Sequence, residues 1–274
     1  MQYDPIKKTL GGLFSRTIWL RVLFYKMLDL LLLRSWHIRK ALKEWYGQRE
    51  EGQLIALDAG SGFGQYTYRM AQLSSSVCVD GVDVKEEQVR DCNDFFQKLG
   101  FSQRVRFEVQ DLTKYIKEST YDLILSIDVM EHILEDELVF NNFYHSMRKG
   151  GMLLISTPSD LGGSDADEHE EGAMHGFIDE HVRDGYNAQD IREKLQRAGF
   201  SGVDVRYSYG TAGHLSWVMS MKWPIQMLGL SKAFFVILPL YYLVLFPWCL
   251  VLNMIDLYKE HGAGTGLIVR AFKE

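Results

Sequence analysis

Leu57-Asp58-Ala59-Gly60-Ser61-Gly62-Phe63-Gly64-Gln65 is the stretch that decides the fold. It follows a short apolar run at 54–57 and precedes a helix-compatible segment at 65–73. An acidic residue followed by alternating glycines at a strand end lets the backbone come close to a nucleoside-sized ligand. Glycine accepts positive φ and puts no side chain in the way. The helix that follows presents an N-terminus that favours an anionic group. A dinucleotide fingerprint would need its third glycine at position 65, which is Gln, and no Gly-Lys-Ser/Thr follows to make a P-loop.

The next elements extend the pattern. Residues 77–84 read as a second strand with Asp83 near its end, where a carboxylate can accept from both ribose hydroxyls. Residues 105–109 read as a third strand, followed by Gln110-Asp111-Leu112, a place from which a carboxylate can accept from an adenine amino group. Residues 121–127 form a fourth strand ending at Asp128, and 152–156 a fifth.

LDAGSGFG at 57–64, GVDV at 81–84, QDL at 110–112, YDLILSIDVMEHI at 121–133 and RKGGMLLISTP at 148–158 together resemble the class I S-adenosylmethionine-dependent methyltransferases, in the ubiquinone-biosynthesis-like, type 11 group. The resemblance runs over about 54–208 and returns at the last strand. It implies an α/β Rossmann-like fold with a seven-stranded, mostly parallel sheet and a reversed last strand, and S-adenosylmethionine as cofactor. It also implies that Asp58, Gly60 and Gly62 lie toward the methionine end, Asp83 at the ribose, Asp111 and Leu112 around the adenine and Asp128 between cofactor and acceptor, with Gly64 and Val84 also among the cofactor-binding residues.

Asp128, Glu131 and His132 further resemble a divalent-cation pattern of ubiquinone-biosynthesis O-methyltransferases. The first position here is Asp rather than Glu, and no metal ligands are assigned. A hydroxyl acceptor needs a base, and imidazole has a suited pKa. His132, His175 and His181 are the candidates; His181 is preferred because Arg183 and Tyr186 follow it, and His132 is second. The long acidic loop after the fifth strand, 159–190, reads as a lid.

A chain of 274 residues with 47% hydrophobic content supports one large domain with appendages. The net charge of −6 argues against general nucleic-acid binding. The three cysteines offer no disulfide framework and fit a reducing compartment; no secretory signal is read at the N-terminus. Residues 1–50 carry ten basic against four acidic side chains, a net of +6 on a remainder of −12. This arm reads as one or two basic amphipathic helices, suited to a lipid interface or to capping the cofactor site.

Residues 215–255 contain only Lys222 and Lys232 as formal charges. By length the stretch resembles a membrane helix, and Pro239 and Pro247 argue for a break. The strands on either side belong to one sheet, so the insertion crosses a bilayer an even number of times or not at all. The favoured reading is a re-entrant or interfacial helical pair broken near the prolines; a buried lid or a homodimer seam are the alternatives. The organisation expected is therefore an arm at 1–50, a catalytic domain at 51–212 and 262–274, and an apolar insertion at 213–261. The expected activity is methyl transfer to a hydrophobic, lipid-linked acceptor, at oxygen, by a cytoplasmic protein held peripherally or monotopically on the inner face of a membrane. Two rivals stand beside it: a soluble methyltransferase for a small apolar metabolite, and a cofactor-binding membrane adaptor without turnover.

Overall fold

The structure, a computed structural model, describes residues 17–49, 52–162, 182–231 and 233–274. Its elements in order are α1 (Ile18–Leu31), α2 (Leu33–Gly47), β1 (Leu54–Ala59), α3 (Gln65–Ala71), β2 (Val77–Asp83), α4 (Glu86–Lys98), β3 (Val105–Val109), β4 (Tyr121–Ile127), α5 (Asp136–Ser146), β5 (Met147–Pro158), α6 (Ala188–Arg197), β6 (Ser201–Ser208), α7 (Thr211–Trp217), α8 (Trp223–Leu230), α9 (Phe234–Tyr258) and β7 (Gly266–Phe272). A 3₁₀ turn at Met130–His132 follows β4, and a π-helical turn at Val218–Lys222 joins α7 to α8.

One seven-stranded sheet runs in the order β3-β2-β1-β4-β5-β7-β6. Strands β1 to β5 pair in parallel, and β7 lies antiparallel between β5 and β6. This is the expected fold. Every residue of β4 is buried, because helices cover both faces of a parallel sheet. One core cluster packs Tyr25, Ile38, Leu42, Met70, Phe95 and Phe96 on one face of the sheet; the other packs Val139, Phe140, Phe143, Ile191 and Leu195 on the opposite face.

Local chemistry sets the helices. Helix α4 opens with Glu86 and Glu87 at its positive end and buries Val89, Cys92, Phe95 and Phe96 along one stripe. Asn187 caps α6 by accepting from the backbone N–H groups of Gln189 and Asp190. The reversal of strand order between β1 and β4 places the loops after both strands around one crevice.

The insertion departs from expectation. Helix α9 runs unbroken for 25 residues through Pro239 and Pro247. Both prolines sit on its exposed side, so their rings meet no neighbouring element, and the missing donors do not sever a helix packed along its other face. The chain breaks earlier, where α8 ends at an extended Ser231. Segments α7 to α8 and α9 form an antiparallel hairpin: Ser216 Oγ donates to the Cys249 carbonyl, and the Tyr242 hydroxyl donates to the Ser220 carbonyl.

Candidate functional site

The turn after β1 is built from backbone. Gly60, Gly62 and Gly64 have φ of +79°, +51° and +84°. The N–H groups of Gly60 and Ser61 both donate to the Val82 carbonyl at 2.9 Å, tying the turn to β2. The glycines serve different ends. A Cβ on Gly60 would lie 2.3 Å from Val129 Cγ2, and one on Gly64 would lie 2.9 Å from Phe96 Cε2. A Cβ on Gly62 would meet nothing within 4 Å, so the turn's open side is there.

Asp83 closes the turn from β2. Its Oδ2 accepts from Gly62 N at 2.9 Å and its Oδ1 from Lys85 N at 2.9 Å, which leaves each oxygen a lone pair for a ligand. Val84 beside it is exposed. After the neighbouring β3, Asp111 accepts from the Thr113 hydroxyl at 2.7 Å and the Thr113 N–H at 2.9 Å, and these bonds hold its carboxyl below the usual range. Leu112 is buried, its carbonyl bonded by Asn142 Nδ2.

Asp58 is buried, and the Thr67 hydroxyl of α3 donates to it. Burial, only partly offset by Thr67, pushes its carboxyl up to about 7. It therefore ties β1 to α3 and supports the turn from behind. Ser61 Oγ, also buried, has no protein partner.

Asp128 ends β4 with φ +52°, its N–H bonded to the Ser156 carbonyl at 2.8 Å. Three residues on, Glu131 is buried with the Thr157 hydroxyl 3.0 Å from Oε2. Burial, reinforced by the Asp128 charge, pushes the Glu131 carboxyl up. His132 is half-buried in the 3₁₀ turn that follows. His175 and His181 lie outside the described residues. Among the described residues no group of three His, Cys, Asp or Glu side chains is placed to hold a metal ion.

Capping of the site by the arm was one of the readings its helices allowed, but local motifs name none of the contacts that make it. Arg34, at the start of α2, forms an ion pair with Asp128, and its own N–H donates to the Tyr209 hydroxyl at 3.1 Å. Arg21 is buried, donates to the Phe63 carbonyl of the glycine turn at 2.7 Å and pairs with Asp91 at 2.5 Å; the Tyr25 hydroxyl also donates to Phe63. Asp29 accepts from Gln65 at 2.8 Å and from Arg69. The arm thus clasps the glycine turn, α3 and the end of β4. The available signal was the placement of Arg21 and Tyr25 four apart on a helix that is otherwise apolar except for Lys26 and Asp29.

The insertion joins the same cluster through Asp256 near the end of α9. Its buried carboxylate accepts from Gly210 N at 2.8 Å and Gly213 N at 3.2 Å, and lies 3.0 Å from His37 Nε2 of α2.

A family model described as a methyltransferase domain matches residues 50–203. Phosphoethanolamine N-methyltransferase 1 of Triticum aestivum is 31% identical over 153 residues, 56% of this chain and 29% of that protein. Malonyl-[acyl-carrier protein] O-methyltransferase 2 of Ilyobacter polytropus is 26% identical over 101 residues, 37% of this chain and 38% of that protein. This chain therefore spans under a third of the plant relative's length and well under half of the bacterial one's. Among solved structures, the phosphoethanolamine N-methyltransferase 2 of Haemonchus contortus, in complex with phosphomonomethylethanolamine and S-adenosylhomocysteine, superposes with a TM-score of 0.60 at 20% identity, covering 87% of this chain and 52% of that one. That likeness is one of fold.

Proposed function

We propose, from the premise that this chain belongs to the class I S-adenosylmethionine-dependent methyltransferases, that it transfers a methyl group to a hydrophobic, lipid-linked acceptor, at oxygen. The residues present suit the cofactor. The turn at 60–64 has an open side at Gly62, an orphan hydroxyl at Ser61 and a two-oxygen acceptor at Asp83. When bound, S-adenosylmethionine supplies a methyl group on a sulfonium for in-line transfer to a lone pair.

The chain's own residues have separate tasks in this reading. Asp83 accepts from the ribose hydroxyls, with Val84 beside it. Asp111 and Leu112 frame the adenine. Gly60 and Gly64 let the turn pack against Val129 and Phe96, and Asp58 holds α3 against β1. Asp128 faces the acceptor side with Arg34 balancing its charge. His181, preferred from the sequence, and His132, which lies within the described residues, are the two proposed proton acceptors.

The observation that carries the hydrophobic acceptor is the outer face of α9. Phe235, Val236, Ile237, Leu240, Leu243, Val244, Trp248, Val251, Met254, Ile255 and Tyr258 are all exposed, and no charged side chain shares that face. An apolar surface of this length is unusual on a protein surrounded by water. Asp256 and Tyr209 connect its base to the Arg34–Asp128 pair, so the apolar element and the reaction site are mechanically joined. The same surface supports attachment at the inner face of a membrane.

The test is incubation with methyl-labelled cofactor and a native lipid extract, with phosphoethanolamine and small phenols as aqueous competitors. Label in the organic phase is the expected result. Label confined to water-soluble products would overturn the acceptor class while leaving the reaction intact.

A further inference from the structure

The hairpin at 211–258 carries information about how this protein meets lipid. Its two ends are fixed. Strand β6 pairs with β7 from Ser201↔Phe272 to Ser208↔Gly266, so the chain leaves the sheet and returns to the same side. A single crossing of a bilayer is therefore barred. Among the described residues, α9 alone is long and apolar enough to cross. The other half of the hairpin carries His214, Lys222 and Gln226 and is interrupted by the π turn and Pro224. Two crossings lack a second spanning helix.

The interior of the hairpin is arranged as an apolar solvent demands. In the π turn, Trp223 N bonds the Val218 carbonyl, which takes from the Met219 carbonyl its usual donor. Pro224 has no N–H to offer the Ser220 carbonyl. Both freed carbonyls are answered from the facing helix: the Tyr241 hydroxyl donates to Met219 at 2.5 Å and the Tyr242 hydroxyl to Ser220 at 2.7 Å. Water would satisfy such carbonyls on an exposed hairpin; in hydrocarbon, partners must come from the protein. At the base, Lys40 of α2 reaches the Leu257 carbonyl at 3.2 Å and lies 4.5 Å over the Tyr258 ring. Arg39 and Lys43, one residue before and three after Lys40 on the same helix, are exposed. Cations in that position suit anionic headgroups.

We infer that the 211–258 hairpin is a monotopic anchor for an anionic bilayer, with the outer face of α9 among the acyl chains of the near leaflet and the turn between α8 and α9 short of the far surface. This deepens the membrane reading above, on which it rests for the identity of the partner.

The full chain is tested on sealed vesicles of phosphatidylcholine with or without phosphatidylglycerol. Flotation should be at least tenfold stronger with the anionic lipid; equal binding to both would overturn the role of the α2 cations, and no flotation would overturn the anchor. For topology, Leu230→Cys marks the hairpin turn in a Cys78→Ser background. An impermeant maleimide trapped inside the vesicles should leave Leu230→Cys unlabelled; labelling from the lumen would show a crossing and overturn the inference. Val236→Glu and Leu243→Glu alter positions that are 84% and 75% exposed, so both should keep the parent's melting curve and lose flotation. Retained flotation in these folded variants would also refute it, as would a stable dimer in solution that buries α9 and ignores vesicles. Methyl transfer measured in detergent micelles is independent of these outcomes. Loss of transfer with intact flotation would count against the proposed reaction and leave the anchor standing.

Discussion

The guanidinium of Arg34 rests on the carboxylate of Asp128, joining the arm to the carboxyl end of β4 across 94 residues of chain. Burial alone would lower the Arg34 pKa; the Asp128 charge, with Tyr66 and Tyr209 beside it, more than offsets this and holds it up. Both side chains keep about a third of their surface open, at 34% and 32%. Solvent screening then limits the pair to roughly 0.5–1 kcal/mol. A double-mutant cycle with Arg34→Met and Asp128→Asn, read by urea unfolding, should return a coupling of that size. A coupling of zero would mean that the arm does not close on β4.

Asp83 has a two-part role, which its substitutions separate. Asp83→Ala removes the acceptor for the Gly62 N–H and the proposed ribose contacts together. Charge-assisted hydrogen bonds contribute about 1.5–3 kcal/mol each, so cofactor affinity should fall at least tenfold by calorimetry. Asp83→Asn keeps one oxygen and should bind with intermediate affinity. Unchanged affinity in a folded Asp83→Ala protein would remove Asp83 from the ribose.

The glycines of the turn should respond differently to the same methyl group. Gly60→Ala forces a Cβ to 2.3 Å from Val129 Cγ2 at a φ of +79°, and should destabilise the fold by about 2–3 kcal/mol. Adding Val129→Ala should recover the steric part. Gly62→Ala meets open space and incurs only the left-handed backbone penalty, about 1–2 kcal/mol. Its larger effect should appear in cofactor affinity, since the methyl group projects into the turn's open side. If Gly62→Ala binds as the parent does, the cofactor lies elsewhere.

What was legible in the sequence follows from the range of the interactions. The glycine turn and the strand ends at Asp83 and Asp128 are dictated by neighbours in the chain, through strand length, backbone φ and apolar runs, whereas the reversed β7, which pairs with the distant β5 and β6, was implied only by the family resemblance. That the arm could cap the site was one of two open readings, but the contacts by which it grips the site were not legible. Arg34 and Asp128, or Arg21 and Phe63, meet only after the sheet has formed, and no local spacing encodes such contacts. The unbroken α9 was misread for a different reason. A proline removes one helical donor and crowds the carbonyl four residues before it, which kinks a helix without having to end it, and whether the helix continues depends on how its other face packs in the hairpin, which the proline does not encode.

Asp58 makes the stability of the fold depend on pH in a calculable direction. Its carboxyl titrates near 3.8 when unfolded and is pushed up to about 7 in the fold, by burial first, with Thr67 opposing. The folded state thus binds the proton more tightly. Whatever stability the neutral carboxyl provides is complete below about pH 3.8 and is lost as pH rises through about 7. Asp58→Asn removes this titration while leaving an oxygen to accept from Thr67. Relative to the parent, the variant should gain stability between about pH 4 and pH 7, by at most ~4 kcal/mol at roughly 1.4 kcal/mol per pKa unit, and hold that gain above the window. Urea midpoints for both proteins across this range provide the measurement. A parent–variant difference that stays flat with pH would show that Asp58 keeps an ordinary pKa and is solvated, and with it the view that this carboxylate braces the turn from inside the core would fail.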